Sequence, residues 1–191
     1  MATPNLNAPT GFRDRCIMQL MHRCGLRIRE ACGIRLGDVD WETGSIRVIA
    51  ETAKGKRERT VYADPATLAL LTRWRETRGR YSRTRKDDAP LFISIRRGAC
   101  NEAGDVPNLQ VTTDSVYKSI RRRMLKAGIA DETAHPHTLR HTFATDSLGH
   151  GVSIVKLQQL MGHASIQTTS IYLHVNDPEL AAEMRAIDWG Y

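Results

Sequence analysis

The sequence predicts a mainly helical domain with one small antiparallel β-sheet, an α+β arrangement. Three observations predict it. Apolar residues recur at helical spacing in several separate segments, two short β-branched runs flank a glycine-bearing turn, and capping residues or prolines stand before several of the helical segments. The 191 residues are enough to bury a sizeable core, and 41% hydrophobic content suits a folded chain and argues against disorder.

The elements follow in order. Residues 1–10 hold two prolines and two asparagines without apolar periodicity and are expected to form a flexible lead-in. RDRCIMQLMHRCG places Cys16, Ile17, Leu20, Met21 and Cys24 on one helical face ending at Gly25, and IREACGIRLGDVDW reads as a short helix followed by a turn. GSIRVIAE and RERTVYA flank TAKGK, where Gly55 permits a tight turn, so a hairpin is expected. DPATLALLTRWRETRG opens with Asp64 as N-cap and Pro65 at the first helical position, and Leu68, Leu71 and Trp74 follow helical spacing. RGRYSRTRKDDAP reads as an exposed, charged loop, and LFISIRRG as a short strand or extended segment. TTDSVYKSIRRRMLKAG is amphipathic, with Val116, Ile120, Met124 and Leu125 expected on its apolar face and Gly128 closing it. A histidine-rich helix, SIVKLQQLMGH with Ser153 as cap, SIQTTSIYLHV, and a last acidic helix from Asp177-Pro178 complete the chain.

Charge is unevenly placed. Residues 1–86 carry 18 Lys/Arg against 9 Asp/Glu, whereas residues 176–191 carry 1 against 4. A basic front half suggests a polyanionic partner, with nucleic acid leading. No apolar run approaches the roughly eighteen residues of a membrane span, and MATPNLNAPTGFRDR has no secretory h-region. The expected setting is therefore cytoplasmic, with no membrane partner. Cys16, Cys24, Cys32 and Cys100 form no CxxC pair and read as buried, reduced thiols.

The stretch HPHTLRHTFATDSLGHG, His135 to Gly151, carries the chemistry. His137 and His141 are four apart, as in two-histidine zinc motifs, but Thr138 stands where such a motif has glutamate, and Arg140 would place a fixed cation beside the metal. No GxSxG elbow supports a serine hydrolase. Phosphate recognition remains: His137 and Arg140 are three apart on a helix, and arginine's planar fork matches two phosphate oxygens. Arg27 in GLRIRE is a second such arginine, Lys54 on the hairpin turn a third cation, His163 follows Gly162, and Tyr172 lies nine residues further on.

These segments resemble the tyrosine recombinase/phage integrase family. CGLRIREACGIRLGDVDW, AKGKRERTVY and HPHTLRHTFATDSLGHGVSIVKLQQLMGHASIQTTSIYLHV stand in that family's order and at compatible spacings. The resemblance implies the tyrosine recombinase catalytic-domain fold and site-specific DNA recombination through a 3′-phosphotyrosyl intermediate. It implies that Arg27 and Arg140 bind the non-bridging oxygens of the scissile phosphate, and that Lys54 protonates the departing 5′-oxygen. His137 would exchange a proton with the nucleophile or hydrogen-bond the phosphate, His163 would be a second phosphate-side donor, and Tyr172 would attack phosphorus. Glu30, one turn after Arg27, matches an acidic supporting position. Lys56 on the same turn is the alternative to Lys54.

The physical chemistry of this set is coherent. A phosphodiester's transition state gathers negative charge that two arginines and a lysine would stabilise. Tyrosine, with a pKa of roughly 10, needs a cationic site and a base to act as a nucleophile near neutrality. A 5′-alkoxide needs an acid in order to leave. The set has no carboxylate cluster for Mg²⁺, so neither metal nor other cofactor is expected. The bland readings are a core role for Tyr172 and a surface ion pair between Arg27 and Glu30. His141 reads as structural, His135 as shaping the Pro136 turn, and His150 and His174 as ordinary residues. The basic stretch Arg73–Lys86 is either a solvated face or a track for the DNA backbone.

The expected organisation is a lead-in over 1–10, the catalytic domain over 11–175, and a C-terminal helical tail over 176–191 that packs in cis or passes to a neighbouring subunit. The N-terminal DNA-clamp domain of most family members is expected to be absent, in either a piece of a longer recombinase or a naturally short one. The implied partners are double-stranded DNA and further copies of the chain in a tetrameric synapse. A catalytically silent DNA-binding accessory protein of the same fold and a type IB topoisomerase-like enzyme are the competing functions.

Overall fold

The structure, a computed structural model, describes residues 8–49, 58–82, 84–95 and 110–162. The described elements are α1 (Pro9–Arg23), α2 (Ile28–Gly33), a 3₁₀ turn (Leu36–Asp38), β1 (Ser45–Val48), β2 (Arg59–Tyr62), α3 (Pro65–Arg78), α4 (Thr113–Lys126), α5 (Pro136–Gly149) and α6 (Ile154–Met161). The mainly helical expectation with one small antiparallel sheet agrees with this. Cys100, Lys54, Lys56, His163, Tyr172, His174 and the expected last helix lie outside the described residues.

Helix α1 is the central post, packed on α5, α3, α2 and α4. Cys16, Ile17, Leu20 and Met21 are fully buried on the face that their spacing selects. Each such large apolar side chain contributes about 1.5–3 kcal/mol of transfer free energy. The helix starts at Pro9, inside the stretch expected to be an irregular lead-in, because proline's fixed φ suits the first helical position and Phe12 has a place in the core. Phe12 meets the buried Trp74 edge-on at 5.9 Å, and Trp74 Nε1–H donates to the Leu91 carbonyl at 3.0 Å. Burial pushes the thiols of Cys24 and Cys32 up to about 12 and raises that of Cys16 as well, so these three are packing groups.

The hairpin pairs Ser45 with Tyr62, Ile46 with Val61, Arg47 with Thr60 and Val48 with Arg59. Its buried face therefore carries Ile46, Val48 and Val61, and the same alternation turns Arg59 inward. Asp64 and Ser153 cap α3 and α6 as expected, accepting from the N–H groups of Thr67 and Lys156. A second, smaller apolar cluster of Ala144, Leu157 and Met161 clasps α5 to α6.

Two further expectations need correction. Leu125 is exposed; it follows Met124 by one residue, about 100° round the helix from the buried stripe. Arg78 is buried at the end of α3, where Nε donates to Pro90 O and Nη1 to Thr84 O, both at 2.9 Å, so the basic stretch is not a uniformly solvated face. The LFISI segment takes the extended form, one of the two expected, and the chain here joins its neighbours through isolated bridges, Arg35 with Pro90 and Ile93 with Gln110.

Candidate active site

The chain leaves α1 through Gly25, whose φ of +64° is the left-handed region and whose missing Cβ would meet the Phe143 ring at 2.4 Å. That close joint sets Arg27 at the N-cap of α2, three residues before Glu30. The buried Glu30 carboxylate accepts from the Arg27 backbone N–H at 2.8 Å and from Arg27 Nη1 at 2.9 Å. The ion pair considered for Arg27 is therefore present, and its carboxylate partner is inside the protein.

Two further arginines converge on Glu30. Arg59 from β2 makes a fork, with Nη1 to Oε1 at 3.0 Å and Nη2 to Oε2 at 2.8 Å. Arg140 from α5 lies 3.6 Å from Oε2 through Nη1, and that nitrogen also donates to the Gly25 carbonyl. Burial pushes the Glu30 pKa up, but the Arg59 hydrogen bonds and charge, the Arg27 N–H and the Arg140 charge outweigh it and hold the group below its ordinary value of 4.5. Glu30 is thus an anion at neutral pH, amid a local excess of positive charge.

Helix α6 completes the frame with its C-terminus. The Leu160 carbonyl accepts from Arg59 Nε at 2.7 Å, and the Met161 carbonyl accepts from Arg140 Nη2 at 2.6 Å and Arg27 Nη1 at 3.4 Å. Orphan carbonyls and the negative end of the helix dipole suit these cations. Gly162 ends α6 with φ +62°, and a Cβ there would meet the Arg59 guanidinium at 3.0 Å. His163 is the next residue in the chain, outside the described part.

His137 lies one turn before Arg140 on α5 and is exposed. Among the described residues, Arg27 uses its backbone N–H and Nη1 on the protein, which leaves Nε and Nη2 to donate outward. His135 stands at the N-cap position of α5 without a side-chain cap bond, and its Nδ1 shares a 3.0 Å hydrogen bond with Tyr117. His141 and His150 are exposed. No group of His, Cys, Asp and Glu among the described residues is arranged to hold a metal ion. Arg59 is the member of the site that the sequence reading passed over; its signal was strand alternation, which places it on the face of Val61.

The sequence profile of the phage integrase family matches residues 1–179. The chain belongs to the phage integrase family. It is 35% identical over 176 residues to the tyrosine recombinase XerC of Chlamydia caviae, covering 92% of this chain and 51% of that protein. The crystal structure of XerA recombinase superposes with a TM-score of 0.73 at 31% identity, over 94% of this chain and 60% of that one. XerH bound to a palindromic difH substrate, in a post-cleavage complex, gives a TM-score of 0.69 at 26% identity over 94% and 47%. The fold is the tyrosine recombinase catalytic-domain fold, and the chain spans about half the length of the curated relatives it matches. No helix among the described residues is long and apolar enough to cross a membrane.

Proposed function

We propose that this chain is the catalytic part of a site-specific DNA recombinase that cleaves and rejoins DNA through a 3′-phosphotyrosyl intermediate. The observation that carries the reading is the common anchoring of Arg27 and Arg140, on Glu30 and on the Met161 carbonyl, with His137 one turn away. Two arginines fixed against a shared anion are preorganised to meet a phosphate's non-bridging oxygens, and no reorganisation is needed as charge develops. Membership of the family and its DNA-bound members support the substrate.

In the proposed reaction the Tyr172 oxygen attacks phosphorus, the new P–O bond forms, and the P–O5′ bond breaks. The tyrosine proton passes to His137, and Lys54 gives a proton to the leaving 5′-oxygen. Lys56 is the alternative acid on the same turn, and His163 is a further donor to the phosphate. The 5′-hydroxyl of a partner strand reverses the step, so the phosphotyrosyl bond conserves the energy for religation. The working form is taken to be a synapse of several copies, four in the family arrangement, on double-stranded DNA. The stretch 176–191 is the segment proposed to pass between copies.

The test is a nicked suicide duplex carrying the target site, incubated with the protein in EDTA. A covalent protein–DNA adduct is expected, and Tyr172→Phe is expected to abolish it while DNA binding persists. An adduct that survives Tyr172→Phe overturns the nucleophile, and one that needs added Mg²⁺ or Zn²⁺ overturns the metal-free mechanism.

A further inference from the structure

A cavity of about 300 Å³ lies between the 3₁₀ turn, the end of α3 and the segment leading to Asp87. Its walls carry Arg75, Arg78 and Arg85, together with Trp41, Ser82 and Asp87. Arg27, Glu30, His137 and Arg140 are not among its walls.

The polar groups here differ from an ordinary surface cluster. Arg78 and Ser82 are each 2% exposed, yet Arg78 Nη2 and Ser82 Oγ have no hydrogen-bond partner among the described residues. Arg78 spends its other donors on the carbonyls of Pro90 and Thr84 and pairs with no carboxylate among the described residues. A buried cation held only by neutral oxygens, with a donor left over, is a costly arrangement in the absence of an anion. Burial, and after it the neighbouring Arg85 charge, disfavour its protonated form. The Arg75 guanidinium sits 4.8 Å over the Trp41 ring and borders the same space. Among the described residues, three arginines against one carboxylate leave a surplus of positive charge, and the hydroxyl adds a neutral donor. Such a set fits a tetrahedral oxyanion, which accepts several hydrogen bonds from different directions.

We propose that this cavity binds a phosphate group, as a second phosphate site separate from the Glu30 centre. The phosphate belongs either to a DNA backbone or to a small phosphomonoester. The site stands whether or not the chain cleaves DNA.

Trp41 reports on it directly. The full chain is titrated with inorganic phosphate, with a phosphomonoester, and with a short duplex that cannot be cleaved, at constant ionic strength, while tryptophan fluorescence is followed. The Trp41→Phe variant identifies the part of the signal that comes from the cavity. A saturable, Trp41-dependent change is expected, weakened about tenfold in Arg85→Gln and by less in Ser82→Ala, in line with losing a charged or a neutral donor. Both variants are monitored for folding by circular dichroism; Arg85 is exposed, so its loss leaves the core intact. If the duplex produces the change and Arg85→Gln also lowers the salt dependence of duplex binding, the phosphate comes from DNA. If free phosphate and the monoester saturate the change and the duplex leaves Trp41 untouched, it comes from a small molecule. No Trp41-dependent change with any of the three, or a change unaltered in both variants, overturns the proposal.

Discussion

Two buried carboxylates in this chain are built from the same parts but tie together different elements. Asp14, on α1, accepts from Arg13 through Nε and Nη2 at 3.0 and 2.7 Å, from Ser119 Oγ at 2.6 Å and from Arg123 Nη2 at 3.4 Å. Its donors come from its own helix and from α4, and Arg13 Nη1 continues to the Ile93 carbonyl. Glu30 draws its hydrogen-bond donors from the start of α2 and from β2, the Arg140 charge of α5 lies 3.6 Å away, and α6 braces the same three arginines with its last carbonyls. The Asp14 centre ties α1 to α4. The Glu30 centre gathers cations from distant parts of the chain and presents them beside His137. A buried arginine–carboxylate pair is therefore no sign of a functional site by itself; what distinguishes Glu30 is convergence with a surplus of cations.

The comparison breaks most visibly in cleavage rate. Arg27→Ala and Arg140→Ala are each expected to slow adduct formation about a hundredfold or more, the scale for removing a preorganised transition-state donor. Arg27→Lys and Arg140→Lys should recover little, because a point charge cannot make the two-oxygen fork. Arg123→Ala, at the other centre, should lower thermal stability and leave the single-turnover rate of the folded fraction unchanged. Equal rate losses at both centres would erase the distinction.

Arg59 should fall between these extremes. It holds Glu30 with two charge-assisted bonds, so Arg59→Ala is expected to cost about 3–5 kcal/mol of stability by leaving a buried charge undercompensated. The rate of the folded fraction should fall about tenfold, since Arg27 and Arg140 keep their other contacts. Urea unfolding and single-turnover assays check the two numbers separately.

Much of the fold was legible because it rests on local rules. The α1 stripe, the Asp64 and Ser153 caps and the alternation of β1 follow from neighbours a few residues apart. The candidate site was legible for a different reason: the residues around Arg27, His137 and Arg140 resemble the family's motif, and the fold brings Arg27 and Arg140 together on Glu30. What escaped depends on distant partners. Arg59 reads as one more basic residue in KRERTVY until the hairpin is paired and Glu30 is beneath it. Arg78 reads as part of a charged loop until the Pro90 and Thr84 carbonyls fold over it, and Asp14 looks like a surface acid until α4 arrives. Leu125 erred in the other direction, since apolar character alone does not set the angle around a helix.

Acid should act on the Glu30 centre more gently. Glu30 titrates below its ordinary value of 4.5 in the folded chain, so the stability it contributes is complete above that value and is lost as pH falls through the depressed one. Wild type should therefore lose stability below about pH 4.5 more steeply than Glu30→Gln, which has no such group to protonate. Parallel acid profiles in thermal melts would contradict this coupling. The smallest expected effect is at Gly162: Gly162→Ala at φ +62° should cost about 1 kcal/mol and, by pushing on Arg59, lower the rate slightly.

The most direct measurement is the single-turnover rate of adduct formation on the suicide duplex for Glu30→Gln and Asp14→Asn, each normalised to its folded fraction. Both changes keep the shape of a buried side chain and remove its charge. With the Glu30 anion organising Arg27 and Arg140 for the proposed phosphate contacts, Glu30→Gln should slow the reaction at least about tenfold while Asp14→Asn stays within about twofold of wild type. A Glu30→Gln rate equal to that of Asp14→Asn would contradict the account and reduce the Glu30 cluster to a second structural clasp.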